Sequence, residues 1–478
     1  MKVVLIQAPY LDIYGSLNVG PNYTFPIGIG YLAAVLKREG HEVSIFEPEI
    51  YNMGKEEILT YLRAKNPEII GITCMTANFK GASKMAELIK EELGTFTVLG
   101  GIHASSVPTQ IAKNFPQFDL ISIAESDYTI LDIVKKYESG SRDFSDVKGL
   151  VYKNKDGEIV VTEARQLIQE LDDLPYPAWE LVDINNYRPN VHLDRGKKSI
   201  TLISSRGCPA RCTFCASWKT LGYSFRYHSP KYMLDQIEYV MKEYGVEYII
   251  FVDDTFTVNK ERTTEICQGI IDRQLKIDWY CFSRVNTINE EMLKLMRRAG
   301  CFSILYGIES GNQDILNNFK KGTTLDQIRW AVQRSNELGF KTIASFILGA
   351  PGETKQTVEQ TIDFAKEVNP TIASFNRLIP FPGTEVYTTH YKHLDNATNW
   401  DDFVPKGVVP MADICDVSSQ ELQDYTNSAF KQFYFRPKKV FEMISRIKTW
   451  GEFKAYSRGL YGLIRRMFEW KQEIKKCN

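Results

Sequence analysis

Three cysteines, Cys208, Cys212 and Cys215, stand in a Cys-x3-Cys-x2-Cys run directly after a short apolar stretch, 200–203. No other feature limits the fold as tightly. Thiolates this close in sequence reach one metal centre only from a tight loop, and the apolar stretch before them reads as a strand. Three thiolates leave a four-iron cluster one ligand short, so a small molecule can bind the open iron. Structural zinc and closed iron–sulfur clusters use four ligands. No fourth Cys or His lies within twelve residues of the trio, which makes a zinc knuckle the weaker reading. Three unrelated buried thiols remain the plain alternative. That description suits the scattered Cys74, Cys267, Cys281, Cys301, Cys415 and Cys477, since free Cys often serves as a small core hydrophobe.

With 478 residues the chain can build two or three domains with real cores. Its net charge of −1 offers no global case for nucleic-acid binding. The start, Met1 and Lys2, runs straight into apolar residues without a signal peptide, and no apolar run approaches a membrane span. An odd cysteine count without secretion signals predicts a reducing cytoplasm.

Residues 1–140 alternate strands with helices. The strands are expected at 3–7, 43–46, 69–73, 97–99 and 120–123, and the helices at 28–39, 55–64, 80–92 and after 107. The strands are apolar on both sides, as in a covered parallel sheet. This predicts an α/β, doubly wound, Rossmann-like domain whose ligand sits outside the carboxyl ends of the strands. Candidate residues there are Thr73, Met75, Thr76, Gly100, Gly101 and His103, with the run from Ala124 to Asp127 at the last strand. No Gly-x-Gly-x-x-Gly follows the first strand, so a nicotinamide site is not expected, and a P-loop is absent.

Residues 141–195 read as a linker containing a hairpin over 149–162 that turns at Asp156 and Gly157. Residues 196–410 hold six strand–helix units, with strands centred on Leu202, Phe251, Phe282, Leu305, Phe346 and Phe375. Helices are expected at 230–244, 260–274, 290–299, 325–338 and 355–368. Six units predict an open, partial (β/α)6 barrel with its chemistry at the carboxyl ends of the strands. Residues 411–478 form a helical tail. From 431 to 478 it carries thirteen Lys/Arg against four Asp/Glu, interleaved with aromatics. A helical cap with a solvated basic face is one reading. A membrane-surface element, which would suit a lipid substrate, is the other.

The cysteine motif, the six units and the turn from Pro380 to Thr384 resemble the radical S-adenosylmethionine (SAM) enzymes. The first domain resembles the cobalamin-binding domain of their B12-dependent branch. The run PIGIGYLAAVL from Pro26, then Gly40 to Val43, matches its opening, and Gly100 to His103 matches a later turn. The resemblance implies a [4Fe-4S] cluster on Cys208, Cys212 and Cys215, with SAM on the open iron and cobalamin at the strand ends of the first domain. Phe214 stands where the family has an aromatic close to the adenine. The chain lacks the Asp-x-His-x-x-Gly motif with which many B12 proteins ligate cobalt. That departure suggests cobalamin held without a protein histidine, with His41 and His103 as surface or turn residues and the 73–76 loop facing the cobalt.

The resemblance also implies roles at the strand ends. Asp253 or Asp254 would take the SAM amine, since adjacent strand side chains point oppositely; capping the next helix is their alternative. Arg284 would clamp the SAM carboxylate in a charge-assisted pair, unless it makes a surface salt bridge. Glu309 and Ser310 would lie near the ribose and methionine. Glu353 would partner a helix N-terminus. Trp218 to Tyr227 pack, or wall a substrate cavity. The implied chemistry is reductive cleavage of SAM to a 5′-deoxyadenosyl radical, with a flavodoxin- or ferredoxin-type external donor, and methylation of an unactivated carbon through methylcobalamin. A non-methylating cyclase, rearrangement or oxidation enzyme is one alternative, and a non-catalytic sensor another. The substrate class is a small molecule or a lipid.

Overall fold

The computed structural model describes residues 1–10, 23–189, 193, 195–391, 400, 403–404, 414–445 and 457. Two sheets, one mixed and one wholly parallel, organise them. The first has the order β2-β1-β3-β4-β5-β6-β7. Strands β1 (Lys2–Gln7), β2 (Glu42–Phe46), β3 (Ile69–Thr73), β4 (Phe96–Gly100) and β5 (Leu120–Ser122) pair in parallel. Alternation within β1 explains the two covered faces. Val3 and Leu5 pack in one core with α1 (Ile27–Arg38) and α6 (Asp127–Glu138). Val4 and Ile6 pack in a second core with α2 (Lys55–Lys65), α3 (Phe79–Leu93) and α5 (Pro108–Asn114). A single turn and a half, α4 (Ile102–Ser106), separates β4 from α5. The order reverses between β1 and β3, the switch point where ligands of such sheets bind.

The expected linker is more than a connection. Its hairpin, β6 (Leu150–Lys153) and β7 (Ile159–Val161), adds two antiparallel strands to β5 and so completes the first sheet. Burial of β6 on both faces makes this pairing favourable: Leu150 enters one core and Val151 the other. Farther on, the amide of Ala178 donates to Gly30 O at 3.0 Å in α1. Trp179 is buried between Phe25 of the first unit and Tyr239 and Tyr244 of the second.

The second sheet runs β15-β14-β13-β12-β11-β8, all parallel and open at both edges. Its strands are β8 (Ser199–Leu202), β11 (Tyr248–Phe251), β12 (Asp278–Ser283), β13 (Cys301–Glu309), β14 (Lys341–Leu348) and β15 (Ile372–Arg377). A small pair, β9 (Ser205–Arg206) and β10 (Arg226–Tyr227), flanks the cysteine loop. Helices α7 (Trp218–Leu221), α8 (Pro230–Tyr244), α9 (Lys260–Asp272), α10 (Glu290–Arg298), α11 (Gln313–Asn318), α12 (Leu325–Glu337) and α13 (Lys355–Val368) follow the strands. Ser229, Asn259, Asn289, Asn312, Thr324 and Thr354 each cap a helix through the side chain, which is why those helices start where they do. The barrel interior is filled by Tyr248, Ile250, Tyr280, Phe302, Ile343 and Ile372.

Helix α14 (Ser419–Tyr434) covers the open edge at β15. There the Tyr434 hydroxyl accepts from Ala373 N at 3.1 Å and donates to Ala373 O at 2.9 Å, satisfying backbone groups that an edge strand leaves bare. Helix α15 (Pro437–Ser445) follows, with Phe441 75 % exposed. Most of the basic aromatic tail, beyond 445, lies outside the described residues apart from Ser457. Among the described residues no helix is long and apolar enough to cross a membrane.

Candidate active site

The cysteine loop leaves β8 at the carboxyl end of the sheet. Gly207 makes its turn at φ +84°, and a Cβ there would lie 2.3 Å from Ser224 O, so only glycine fits. Cys208, Cys212 and Cys215 are half-buried free thiols. The Cys215 amide donates to Cys212 O at 3.1 Å. Burial pushes the Cys215 thiol up to about 11, and the neighbouring Asp254, Cys212 and Cys208 add to that. A thiol in that setting ionises only with a cation to hold it, which is what a metal cluster supplies. Among the described residues no three Cys, His, Asp or Glu side chains converge on a single ion. A cluster, which takes thiolates as its ligands, would rest on Cys208, Cys212 and Cys215.

Asp253 and Asp254 lie just past β11 and point apart. Asp253 is fully buried, and its Oδ1 accepts from Ser204 N at 3.1 Å and from the hydroxyls of Ser204 and Ser205. It ties the end of β11 to the stem of the cysteine loop. Asp254 faces the loop itself, accepting from Ser217 Oγ at 2.8 and 2.7 Å. Solvent reaches its side chain, yet the protein packed around the carboxylate desolvates it and raises its pKa. Asp254 is thus the accessible carboxylate of the pair. Neither caps α9, whose cap is Asn259.

Arg284, just past β12, donates from Nη1 to Cys212 Sγ at 3.4 Å and from Nη2 to Lys321 O. Lys321 in turn meets Glu309 Oε1 at 2.8 Å, with both side chains at most 8 % exposed. The Lys321 ammonium lies 5.8 Å from the centre of the Phe214 ring, which packs edge-on against Phe319. Glu309 ends β13 beside a register shift, at φ +71°. A Cβ on Gly307 would collide with both charged atoms, so that glycine makes room for the pair. Cys212, Phe214, Arg284, Glu309 and Lys321 therefore form one connected group. Sequence reasoning missed Lys321; only the rule that a buried carboxylate needs a partner pointed toward such a residue. Ser310 does not join this group. Its hydroxyl is buried against Thr361 Oγ1 at 3.1 Å in α13 and accepts from Asn312 N. Glu353 is also buried, but it holds its own turn by accepting from Gly349 N and Ala350 N, while Thr354 caps α13.

In the first unit a cavity opens between the sheet and helices α1 and α6, toward the carboxyl ends of the strands. Thr73, Gly100, Gly101, Ser122 and Ser126 line its polar side, and Leu5, Ile29 and Ile130 its apolar side. Gly100 has no atom within 4 Å of its absent Cβ. Gly101 turns at φ +99°, where a Cβ would lie 2.5 Å from Cys74 O. Met75, two residues past the end of β3, is an apolar side chain left 40 % exposed. The glycines and small hydroxyls let a ligand approach the backbone closely, and cobalamin, whose amide and nucleotide groups seek polar partners, fits that lining. Thr73, Met75, Gly100 and Gly101 would hold it.

His103 departs from expectation. It is wholly buried, not a surface or turn residue. Its Nδ1 lies 3.1 Å from Thr76 Oγ1, and its ring packs on Phe79 and Trp400. Burial pushes its pKa down to about 3, so it is neutral. Thr76 is thereby turned into the core as well. His41 is half-buried beside the N-terminal amine. Glu125 and Asp127, expected at the ligand end of β5, are instead bound by Arg206 and Arg226 behind the cysteine loop.

Comparison with known proteins matches a family to each of the two units. The radical SAM superfamily model matches residues 202–365, and the B12 binding domain model matches 17–134. An uncharacterized methyltransferase of Pyrococcus horikoshii is 32% identical over 93% of this chain and 95% of its own length. An anaerobic magnesium-protoporphyrin IX monomethyl ester cyclase of Rubrivivax gelatinosus is 29% identical over 91% of this chain and 77% of its own. Among solved structures, the radical SAM methyltransferase TsrM of Kitasatospora setae, with cobalamin and a [4Fe-4S] cluster bound, shares the fold at TM-score 0.69. It is 18% identical and covers 83% of this chain and 79% of that one. The chain belongs to the radical SAM superfamily, in the branch that carries a B12-binding domain before the barrel, and it is a cobalamin-dependent radical SAM enzyme with a [4Fe-4S] cluster.

Proposed function

We propose that this enzyme methylates an unactivated carbon of a small-molecule or lipid substrate, using two electrons per turnover from an external flavodoxin- or ferredoxin-type donor. The observation that carries this reading is the joining of the two sites in one body, with the carboxyl end of the first sheet fixed against the stem of the cysteine loop through Arg206 and Arg226. When bound, the cluster supplies the electron that opens SAM to a carbon-activating radical, and cobalamin supplies the methyl group. Proximity of a methyl source to an activated carbon is a large part of such catalysis.

The residues divide the remaining work. Cys208, Cys212 and Cys215 would supply thiolates and leave one iron open. Asp254 is the accessible carboxylate for an amine near that iron. Arg284 places a fixed positive charge on the Cys212 side, and Lys321 is held by Glu309 beside Phe214. The apolar barrel floor, from Val252, Phe282 and Leu305, would keep water from the reacting carbon. The Pyrococcus horikoshii relative's methyltransferase name supports this reading; the cyclase name of the second relative marks the alternative.

Turnover with methyl-deuterated SAM separates them. The expected product gains a deuterated methyl group, with one 5′-deoxyadenosine and one S-adenosylhomocysteine formed per turnover. Substrate consumption with 5′-deoxyadenosine but neither methyl gain nor S-adenosylhomocysteine assigns the chain to the cyclase or rearrangement class.

A further inference from the structure

Two acidic residues of the first unit reach across to the base of the cysteine loop. Asp127 receives Arg206 in a two-pronged pair, Nη1 to Oδ2 at 2.8 Å and Nη2 to Oδ1 at 3.0 Å. Arg206 Nη1 also lies 3.2 Å from Glu125 Oε1. Arg226 Nη1 meets both oxygens of Glu125, at 2.9 and 2.8 Å, and the Ile168 amide donates to the same carboxylate at 2.8 Å. The four ion-paired side chains are no more than 7 % exposed. Arg206 and Arg226 sit on the paired strands β9 and β10. A single residue separates Arg206 from Cys208, the crowded Gly207, whose turn leaves no slack. A displacement of Arg206 therefore reaches the first cysteine directly. Ser122, which ends β5, and Ser126, just before α6, line the cavity of the first unit on either side of Glu125.

A buried ion network gives little net stability over a well-packed apolar core, because desolvation offsets the attraction. Its use here lies in register and in the field it makes. We propose that Asp127 and Glu125 are positioning residues for the cluster: they hold the Arg206 stem that presents Cys208, and their negative charges help set the potential at which the cluster takes its electron. The proposal rests on the reading of the three cysteines as cluster ligands. The physics gives a sign. Two cations and two anions balance in a low-dielectric region, so removing one anion leaves a net positive charge near the cluster. A positive charge stabilises the reduced, more negative cluster and moves its potential to less negative values.

The test is a redox titration of the full-length, anaerobically reconstituted protein, followed by electron paramagnetic resonance, with iron and sulfide measured alongside. Asp127→Asn should keep the cluster, shift its potential to less negative values and alter its resonance. Asp127→Glu, which keeps the charge, should restore the parent potential; a purely packing role predicts no such rescue. A fully loaded Asp127→Asn protein with the parent potential and spectrum overturns the proposal. If that variant does not fold, Glu125→Gln replaces it, since Arg206 then keeps its two-pronged partner. The same direction of shift is expected, and an unchanged potential overturns the proposal. A parent protein that assembles no cluster overturns the ligand assignment itself, a distinct result that removes the basis for this inference too.

Discussion

Replacing Glu353 by Gln should change how stability depends on pH, by an amount the structure sets. Glu353 is fully buried in the turn after β14, where one carboxylate oxygen accepts from the amides of Gly349 and Ala350 and Oε1 has no hydrogen-bond partner among the described residues. Burial raises its pKa from 4.5 to about 7, against the opposing pull of the two amides. The folded protein thus holds this proton more tightly than the unfolded chain. Its contribution to stability is fully present below the unfolded value and is lost as pH rises through the folded one. Between about pH 5 and about pH 8 that loss amounts to about 2.5 kcal/mol. Gln keeps an acceptor for the amides and carries no titrating proton. The stability of Glu353→Gln relative to the parent should therefore improve by about 2.5 kcal/mol across that window. Urea unfolding of the full chain without oxygen, read by tryptophan fluorescence at several pH values, measures it. A gap that changes by less than about 1 kcal/mol, or in the opposite sense, refutes the reasoning.

Two further substitutions address the first unit. Gly101→Ala forces a side chain onto φ +99° and against Cys74 O, so it should cost about 1–3 kcal/mol and lower the corrinoid bound per chain; parent-like melting and corrinoid content would show that the cavity rim tolerates a Cβ. The cob(II)alamin form should show no nitrogen splitting from the protein, because His103 is wholly buried, with its ring packed on Phe79 and Trp400 and its Nδ1 on Thr76. His103→Ala should leave that paramagnetic spectrum unchanged while lowering the melting temperature, and splitting that disappears in the variant would make His103 a cobalt ligand.

Much of this architecture is visible in the linear chain. The six barrel strands lie where the apolar centres at Leu202, Phe251, Phe282, Leu305, Phe346 and Phe375 put them. Parallel strands covered on both faces leave continuous Val and Ile runs, and such runs are local signals. Helix starts are local too, since a capping side chain acts on amides two or three residues away. The cysteine trio shares this property: its spacing is contained within one loop. Lys321 illustrates the opposite case. Its partner Glu309 is only twelve residues away, yet nothing in that stretch says both side chains turn inward at the register shift of β13.

What the sequence determined by itself is the alternation that makes the parallel strands of two sheets, their strand ends as the places for ligands, and the thiol set. What the tertiary structure decided is which charged and polar groups meet. Asp127 and Arg206 are 79 residues apart, and Glu125 and Arg226 are 101 apart. The hairpin's place on β5, the burial of His103 under Trp400 and the inward turn of Asp253 all depend on segments distant in the chain. The physical reason is that periodicity and capping act over a few residues, whereas the pairing of a buried charge is set by whichever long-range packing brings its partner within hydrogen-bond reach.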